Sequence, residues 1–347
     1  MSPAIGAPAD RPAADRPAAE DGDAGAFCVS PAEITQVRAE DPCRIGRLLQ
    51  GRRRFGPVRG PLLLVAADHP ARGALGAGAR PMAMADRPDM LERLRTALSV
   101  PGVDGVLGTA DVLEDLLLLG ALEGKFVIAS MNRGGLQHAS FELDDRFTGY
   151  GAEAIARSGF DGGKMLTRID PDDAASVRTL EASARAVDEL AERDLIAMIE
   201  PFWSTRRPRE RAGANAVPVG TSPRPAALRP DIPGAPLRND LSPEAVIRSI
   251  HVAQGLGGTS ARTWLKLPAV PEMEQVMAAT TLPTLLLGGD PGKDDRGRVF
   301  AQWEHALSLP TVRGLVVGRT LLYPPDDDVA GAVRAAAALV HLEVRNP

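Results

Sequence analysis

The chain has 347 residues, 44% of them hydrophobic and 24% charged, which supplies a sizeable core at a length that suits one α/β barrel with additions at one end. A formal net charge of -5 gives no basic footprint for nucleic acid, and the sequence holds no run of about eighteen apolar residues that would span a membrane. Nucleic acid and membrane are therefore set aside as partners, and a small molecule is expected.

Residues 1–26 are mostly Ala, Pro, Asp and Gly, with too little apolar surface to offset ordering entropy, and they read as a disordered tail. They lack the basic-then-apolar architecture of an export signal. The two cysteines, Cys28 and Cys43, have no CxxC spacing and suit a reducing compartment, so a cytoplasmic location is expected. Residues 27–59 read as a helical extension. Ser30 to Glu33 has the form of a capped start, with Pro31 at the first helical position, and predicts a helix over 31–49. The triplet Arg52, Arg53 and Arg54 that follows reads as a solvated surface run.

From residue 60 to 347 short apolar runs alternate with longer helical patterns. Strands are predicted at 62–67, 103–107, 125–130, 161–168, 195–200, 261–267, 283–288 and 312–318. Helices are predicted at 89–98, 111–122, 151–158, 174–193, 243–254, 271–279, 298–307 and 329–340. Eight strand–helix units in unbroken alternation predict a parallel sheet closed into a (β/α)8 TIM barrel. The alternative, an open doubly wound sheet, lacks a GxGxxG between its first strand and helix. After the fifth strand, which Pro201 is expected to end, residues 203–240 form a Pro- and Arg-rich excursion far longer than an ordinary βα loop. In a barrel it rises from the catalytic face, as a cover or a subunit contact.

The sixth strand carries the most informative side chain. In Arg262-Thr-Trp-Leu-Lys-Leu-Pro268 a lysine sits in an apolar run, where its ammonium needs either an ion pair or a lowered pKa. A lysine that merely snorkels past the strand end is the plainer reading. Period-two alternation puts Trp264 with Lys266, Met198 with Glu200, and Gly162 with Lys164 and Leu166, while Asp68 stands at the end of the first strand. Two lysines and two carboxylates would then converge on one barrel mouth. Glycine loops follow the seventh strand, Leu287-Gly-Gly-Asp-Pro-Gly292, and the eighth, Val317-Gly-Arg-Thr320. Backbone N–H groups there can cradle a phosphate, and Arg319 can add a bidentate charge.

Ala66-Ala-Asp-His-Pro-Ala-Arg-Gly-Ala-Leu75, Gly163-Lys-Met-Leu166, Ile199-Glu-Pro201, Trp264-Leu-Lys-Leu267, Leu287-Gly-Gly289 and Val317-Gly-Arg319 together resemble class I, Schiff-base aldolases over roughly residues 60 to 342. The pattern is most similar to tagatose-bisphosphate aldolases and to the aldolase-like domain fused to bacterial 5-dehydro-2-deoxygluconokinases of inositol catabolism. The resemblance implies a Schiff base on Lys266, a second active-site lysine at Lys164, a proton-transferring carboxylate at Glu200 and a substrate-binding aspartate at Asp68. It implies phosphate contacts at Gly288, Gly289, Gly318 and Arg319. The first-strand motif departs from the family's Gln-Arg or His-Gly: His69 and Pro70 follow the aspartate here, and an arginine comes only at Arg72, taken as a further substrate contact. In archaeal-type fructose-bisphosphate aldolases a tyrosine occupies the position of Glu200.

The activity implied is cleavage or formation of a C–C bond in a phosphorylated keto-sugar or keto-acid, with no cofactor and no metal, in a homo-oligomer. The first substrate to consider is 5-dehydro-2-deoxy-phosphogluconate, giving dihydroxyacetone phosphate and malonate semialdehyde. A metal-dependent aldolase would need convergent histidines, and His69, His138, His251, His305 and His341 fall mostly on predicted helices or loops. A non-catalytic sugar-phosphate binder would have no use for Lys266, Lys164 and Glu200 together.

Overall fold

A computed structural model describes residues 30–206, 237–289 and 296–341. The predicted tail at 1–26 lies outside them, as do residues 207–236 of the excursion and 290–295 of the seventh loop.

Eight parallel strands close into a barrel: β1 (Leu62–Ala67), β2 (Gly105–Gly108), β3 (Phe126–Ser130), β4 (Gly162–Ile169), β5 (Ile196–Thr205), β6 (Thr263–Pro268), β7 (Thr284–Leu287) and β8 (Val312–Val317). Each pairs with its sequence neighbours, and β8 returns to β1 with Leu62 opposite Gly314. Nearly every strand residue is buried, on the inner face as well as the outer, which explains why most strands read as apolar runs rather than alternating with polar residues. Outward side chains such as Leu63, Val65, Val127 and Leu265 pack under the helices, against Leu94, Leu116, Leu190, Ile250 and Val333. Inward ones form a second, separate cluster of Leu62, Leu64, Ala66, Leu107, Phe126, Ile128, Ile196, Met198, Leu285 and Val316.

The outer helices follow their strands in order: α3 (Arg87–Ser99), α4 (Ala110–Leu118), α5 (Ala152–Arg157), α6 (Ser176–Ala191), α7 (Pro243–Gln254), α8 (Met273–Met277), α9 (Arg296–Leu307) and α11 (Val329–His341). A one-turn helix, α10 (Arg319–Leu322), precedes α11 and was not expected from the pattern. No described helix is long and apolar enough to cross a membrane.

The predicted helix over 31–49 divides into a 3-10 turn (Pro31–Glu33), α1 (Ile34–Glu40) and α2 (Cys43–Gly51). Pro42 is the reason: it has no N–H for the helical ladder and its ring clashes with the preceding turn. The capped start forms as a capping box between Ser30 and Glu33, with the Glu33 carboxylate accepting from the Ser30 backbone N–H and hydroxyl, each at 2.7 Å.

The reading of Arg52 as solvated is corrected by the structure. Arg52 is buried and donates to the carbonyls of Leu122, Lys125 and Gly159 at 3.2, 3.1 and 2.8 Å, over the ring of Phe160. Only Arg53 and Arg54 are exposed. Phe55 then lies edge-on to Phe126, centroids 5.5 Å apart, against the inner cluster. Phe126 opens β3, so the extension closes the N-terminal end of the barrel.

The expectation that Pro201 ends β5 is corrected: the strand runs on to Thr205, with Pro201 opposite Thr167 and Trp203 opposite Ile169. Pairing with β6 stops at Ile199, so beyond that level the strand is bonded on one side and tolerates a residue without a donor. Its end forms a short antiparallel ribbon with Arg238–Asn239.

Candidate active site

On the inner face the strands change character within one period-two step. Gly162, Met198 and Trp264 are followed by Lys164, Glu200 and Lys266, and Ala66 by Asp68 just beyond β1. The register sets Leu166 opposite Glu200 and Ile199 opposite Leu265, which brings Glu200 level with Lys266. The four charged groups meet. Lys164 Nζ lies 2.8 Å from Asp68 Oδ2 and 2.5 Å from Glu200 Oε2, and Lys266 Nζ lies 3.2 Å from the same glutamate oxygen. Lys164, Glu200 and Lys266 are 2%, 6% and 3% exposed, so bulk water does little to screen these contacts.

The two lysines share this surround and shift in opposite directions. Burial disfavours the charged form of each. At Lys164 two contacting carboxylates, Asp68 and Glu200, outweigh burial and raise the pKa above its ordinary value. At Lys266 burial prevails: Glu200 offsets it in part, the Lys164 ammonium adds to it, and the pKa falls. Lys164 is thus the standing ammonium and Lys266 the amine more easily freed of its proton. Burial also works to raise both carboxyls, but the lysine charges prevail, lowering Glu200 to about 2 and Asp68 further still. Both acids are anionic at neutral pH.

His69, in the 3-10 turn His69–Arg72 after β1, joins the group with Nδ1 3.6 Å from Asp68 Oδ1. Burial brings its pKa down to about 3 despite Asp68, with Arg319 and Lys266 acting in the same direction as burial, so the imidazole is neutral at pH 7. Arg72 lies toward the β3–β4 side instead. It pairs at 3.1 Å with Glu142, a carboxylate that also pairs with Arg168 at 2.5 Å. Asn132 ties the loop after β3 to β4, exchanging hydrogen bonds with the Leu166 backbone at 2.8 and 2.9 Å.

The glycine loops lie on the opposite side. A Cβ on Gly288 would stand 2.4 Å from Val317 Cγ1, and one on Gly318 would stand 2.5 Å from the Ala66 carbonyl oxygen, so close packing of strand ends accounts for both. Gly289 differs: its φ is +67°, a left-handed conformation that favours glycine, and the space before it is open. Thr320 Oγ1 donates to the Gly288 carbonyl at 3.1 Å, joining the two loops, and Arg319 donates to the Gly76 carbonyl at 3.2 Å.

A family model described as Cgl0159-like matches residues 60–219 and 229–337. The chain belongs to the Cgl0159-like family. The crystal structure of Cgl0159 from Corynebacterium glutamicum (Brevibacterium flavum) is 48% identical, with a TM-score of 0.80 over 91% of this chain and 99% of that one. A Schiff base forming fructose-1,6-bisphosphate aldolase is 20% identical, TM-score 0.52, over 85% of this chain and 99% of that one. An archaeal fructose 1,6-bisphosphate aldolase is 19% identical, TM-score 0.53, over 86% and 99%. At that identity these two share the barrel fold. No curated protein sequence matches the chain.

In this Cgl0159-like chain the structure brings Asp68, Lys164, Glu200 and Lys266 together, as the strand phasing anticipates. Arg72 is paired there with Glu142. Three residues of the mouth were not foreseen there: His69, Glu142 and Arg168. Arg168 was within reach, since it continues the inward phase of Lys164 and Leu166. Glu142 was not, because it sits in an irregular loop with no period to extrapolate. Among the described residues no group of three or more His, Cys, Asp and Glu side chains is arranged to hold a metal ion.

Proposed function

We propose that this protein is a class I aldolase that cleaves or forms a C–C bond in a phosphorylated keto-sugar or keto-acid. The observation that carries the reading is the unequal pair of buried lysines, in which Lys266 is the one pushed toward its neutral form. The barrel shared with Schiff-base aldolases and the motif likeness support it.

Neutral Lys266 Nζ attacks the substrate carbonyl carbon, and loss of water from the carbinolamine gives an iminium. Glu200 takes the proton of the hydroxyl adjacent to the scissile bond. The C–C bond breaks, its electron pair enters the iminium to form an enamine, and the aldehyde half leaves. Protonation of the enamine and hydrolysis release the ketone half and restore the amine. Glu200 suits the proton-transfer role because it touches both lysine nitrogens and is anionic before the reaction. Lys164 and Asp68 hold substrate hydroxyls, and the phosphate lies against Gly289 and Arg319, with Gly288 and Gly318 shaping the loops. The likeness to tagatose-bisphosphate aldolase and to the kinase-fused aldolase domain favours 5-dehydro-2-deoxy-phosphogluconate, an intermediate of inositol catabolism, with dihydroxyacetone phosphate as the ketone product.

Borohydride added with dihydroxyacetone phosphate tests the mechanism. The protein should gain one reduced ligand on Lys266, read by peptide mass. Activity without any trapped adduct, or an adduct on Lys164, would overturn the assignment.

A further inference from the structure

The aldol steps above use Asp68, Lys164, Glu200 and Lys266 and give His69 no part. The side chains of those four are 10%, 3%, 8% and 4% exposed, whereas that of His69 is 23% exposed, the most open of the group. Asp68 stands between the buried groups and the histidine: Oδ2 binds Lys164 at 2.8 Å, and Oδ1 faces His69 Nδ1 at 3.6 Å. That separation is a step longer than a hydrogen bond, and Nδ1 is buried with no hydrogen-bond partner among the described residues. The exposed part of the ring therefore lies away from Nδ1. The turn that carries the ring is fixed. Pro70 follows it, the His69 carbonyl accepts from the Gly73 and Ala74 N–H groups, and Arg133 of the loop after β3 donates to the Ala71 carbonyl at 2.6 Å.

A carboxylate opposite Nδ1 favours the tautomer with hydrogen on that nitrogen and leaves Nε2 as the acceptor. Burial, with Arg319 and Lys266, keeps the imidazole neutral against the pull of Asp68 and Glu200. A neutral imidazole takes a proton on Nε2 while giving one from Nδ1, so no imidazolium has to persist. Schiff-base chemistry needs such a passage. As the iminium forms from neutral Lys266, the carbinolamine C–O bond breaks, the nitrogen lone pair becomes the second C–N bond, and the hydroxyl leaves as water by gaining a proton. Asp68 and Glu200 are anionic and Lys164 holds its proton more firmly than an ordinary lysine, so that proton has to enter from outside. We propose that His69 relays it from solvent to Asp68, which passes it to the departing hydroxyl. Hydrolysis of the last iminium returns one proton by the same route. This rests on the reading of Lys266 as the attacking amine.

The test follows protons and adduct together. Full-length protein is mixed with dihydroxyacetone phosphate in dilute buffer with a pH indicator, above the Lys266 inflection, and samples are quenched with borohydride at timed intervals. In wild type, proton uptake should keep pace with adduct formation and reach one proton per adduct, after subtraction of the uptake seen with inorganic phosphate. His69→Ala should slow both about 10^2-fold, the lower end for loss of a proton-transferring group, and leave the final amount of adduct unchanged, because a relay alters rate and not equilibrium. Added imidazole should restore the rate, which repair of a lost packing contact would not explain. In the double variant His69→Ala with Asp68→Asn, imidazole should restore nothing, since the amide passes no proton. If His69→Ala does not fold, His69→Gln should show the same slowing with the same final adduct. An unslowed variant, a slowing that imidazole leaves in place in His69→Ala, or rescue of the double variant would overturn the proposal. An adduct on Lys266 formed without proton uptake would do so too. Absence of any adduct in wild type would instead overturn the Lys266 reading, and the relay with it.

Discussion

The lower and upper layers of the barrel interior are built on the same strands with the same inward phase, and they do opposite things. Below, Leu62, Leu64, Phe126, Ile196 and Met198 fill the interior over Phe55. One step further along the chain, Asp68, Lys164, Glu200 and Lys266 converge with hardly more exposure. A buried charge cluster is a poor source of stability, because desolvation offsets most of its mutual attraction. With the proposed function, the contrast places folding free energy in the lower layer and reactivity in the upper. The apolar floor also keeps water away from Lys266 from beneath, which is part of why burial dominates its pKa.

If that division holds, substitutions in the upper layer should abolish chemistry and leave the fold. Lys266→Met should give the largest effect. No adduct should be trapped by borohydride, and turnover should fall on the order of 10^5-fold or more, the scale of removing a nucleophile. Circular dichroism and the melting temperature should change little, since a buried amine is exchanged for an apolar side chain of similar length. Unfolding of this variant would show that the upper layer contributes to stability after all.

Glu200→Gln comes next, with a loss of about 10^2 to 10^4-fold expected for removal of a proton-transferring group. The substitution also removes the carboxylate that favours charge on Lys266, so adduct formation should shift to lower pH even as turnover falls. Opposite movements of trapping and turnover would separate amine reactivity from proton transfer. A parallel loss in both would place Glu200 in the attack step alone.

Lys164→Met should be milder and should sharpen the comparison between the lysines. Attack needs the neutral amine, so the trapping rate rises as pH climbs through the Lys266 pKa. Removing the Lys164 ammonium removes one influence that lowers this pKa and leaves Asp68 and Glu200 to act on Lys266, so the inflection must move to higher pH. Each unit of movement corresponds to about 1.4 kcal/mol and to ~10-fold slower trapping below the inflection. An inflection unmoved in the pH–rate profile would show that burial alone tunes Lys266.

Much of this arrangement was legible in the sequence, for physical reasons that also define where legibility stopped. A closed parallel barrel is buried on both faces, so its strands announce themselves as apolar runs, and the inward phase carries Gly162 to Lys164 and Met198 to Glu200 without knowledge of contacts. Pro201 misled because its tolerance depends on how far β6 reaches, which the β5 sequence does not encode. Arg52 misled because its partners, the carbonyls of Leu122, Lys125 and Gly159, are 70, 73 and 107 residues away along the chain. Glu142 is held by Arg72 and Arg168 from two different strand ends, a convergence that only the closed barrel creates.

The smallest effect on chemistry is expected in the lower layer, at Phe55. Its ring meets Phe126 edge-on and it is half-buried at the foot of the inner cluster, on a segment held in place by Arg52. Phe55→Ala would leave a gap open to solvent rather than a sealed cavity, so the cost should be about 1–3 kcal/mol, below that of a fully buried phenylalanine. Urea denaturation should show the lower midpoint. The amine of Lys266 lies at the other end of the barrel, with Met198 and Trp264 one inward step beneath the Glu200 and Lys266 level, so the pH dependence of borohydride trapping should stay that of wild type. If the trapping inflection instead moved upward, water entering from the floor would be reaching the lysine, and the apolar layer would be tuning the chemistry as well as holding the fold.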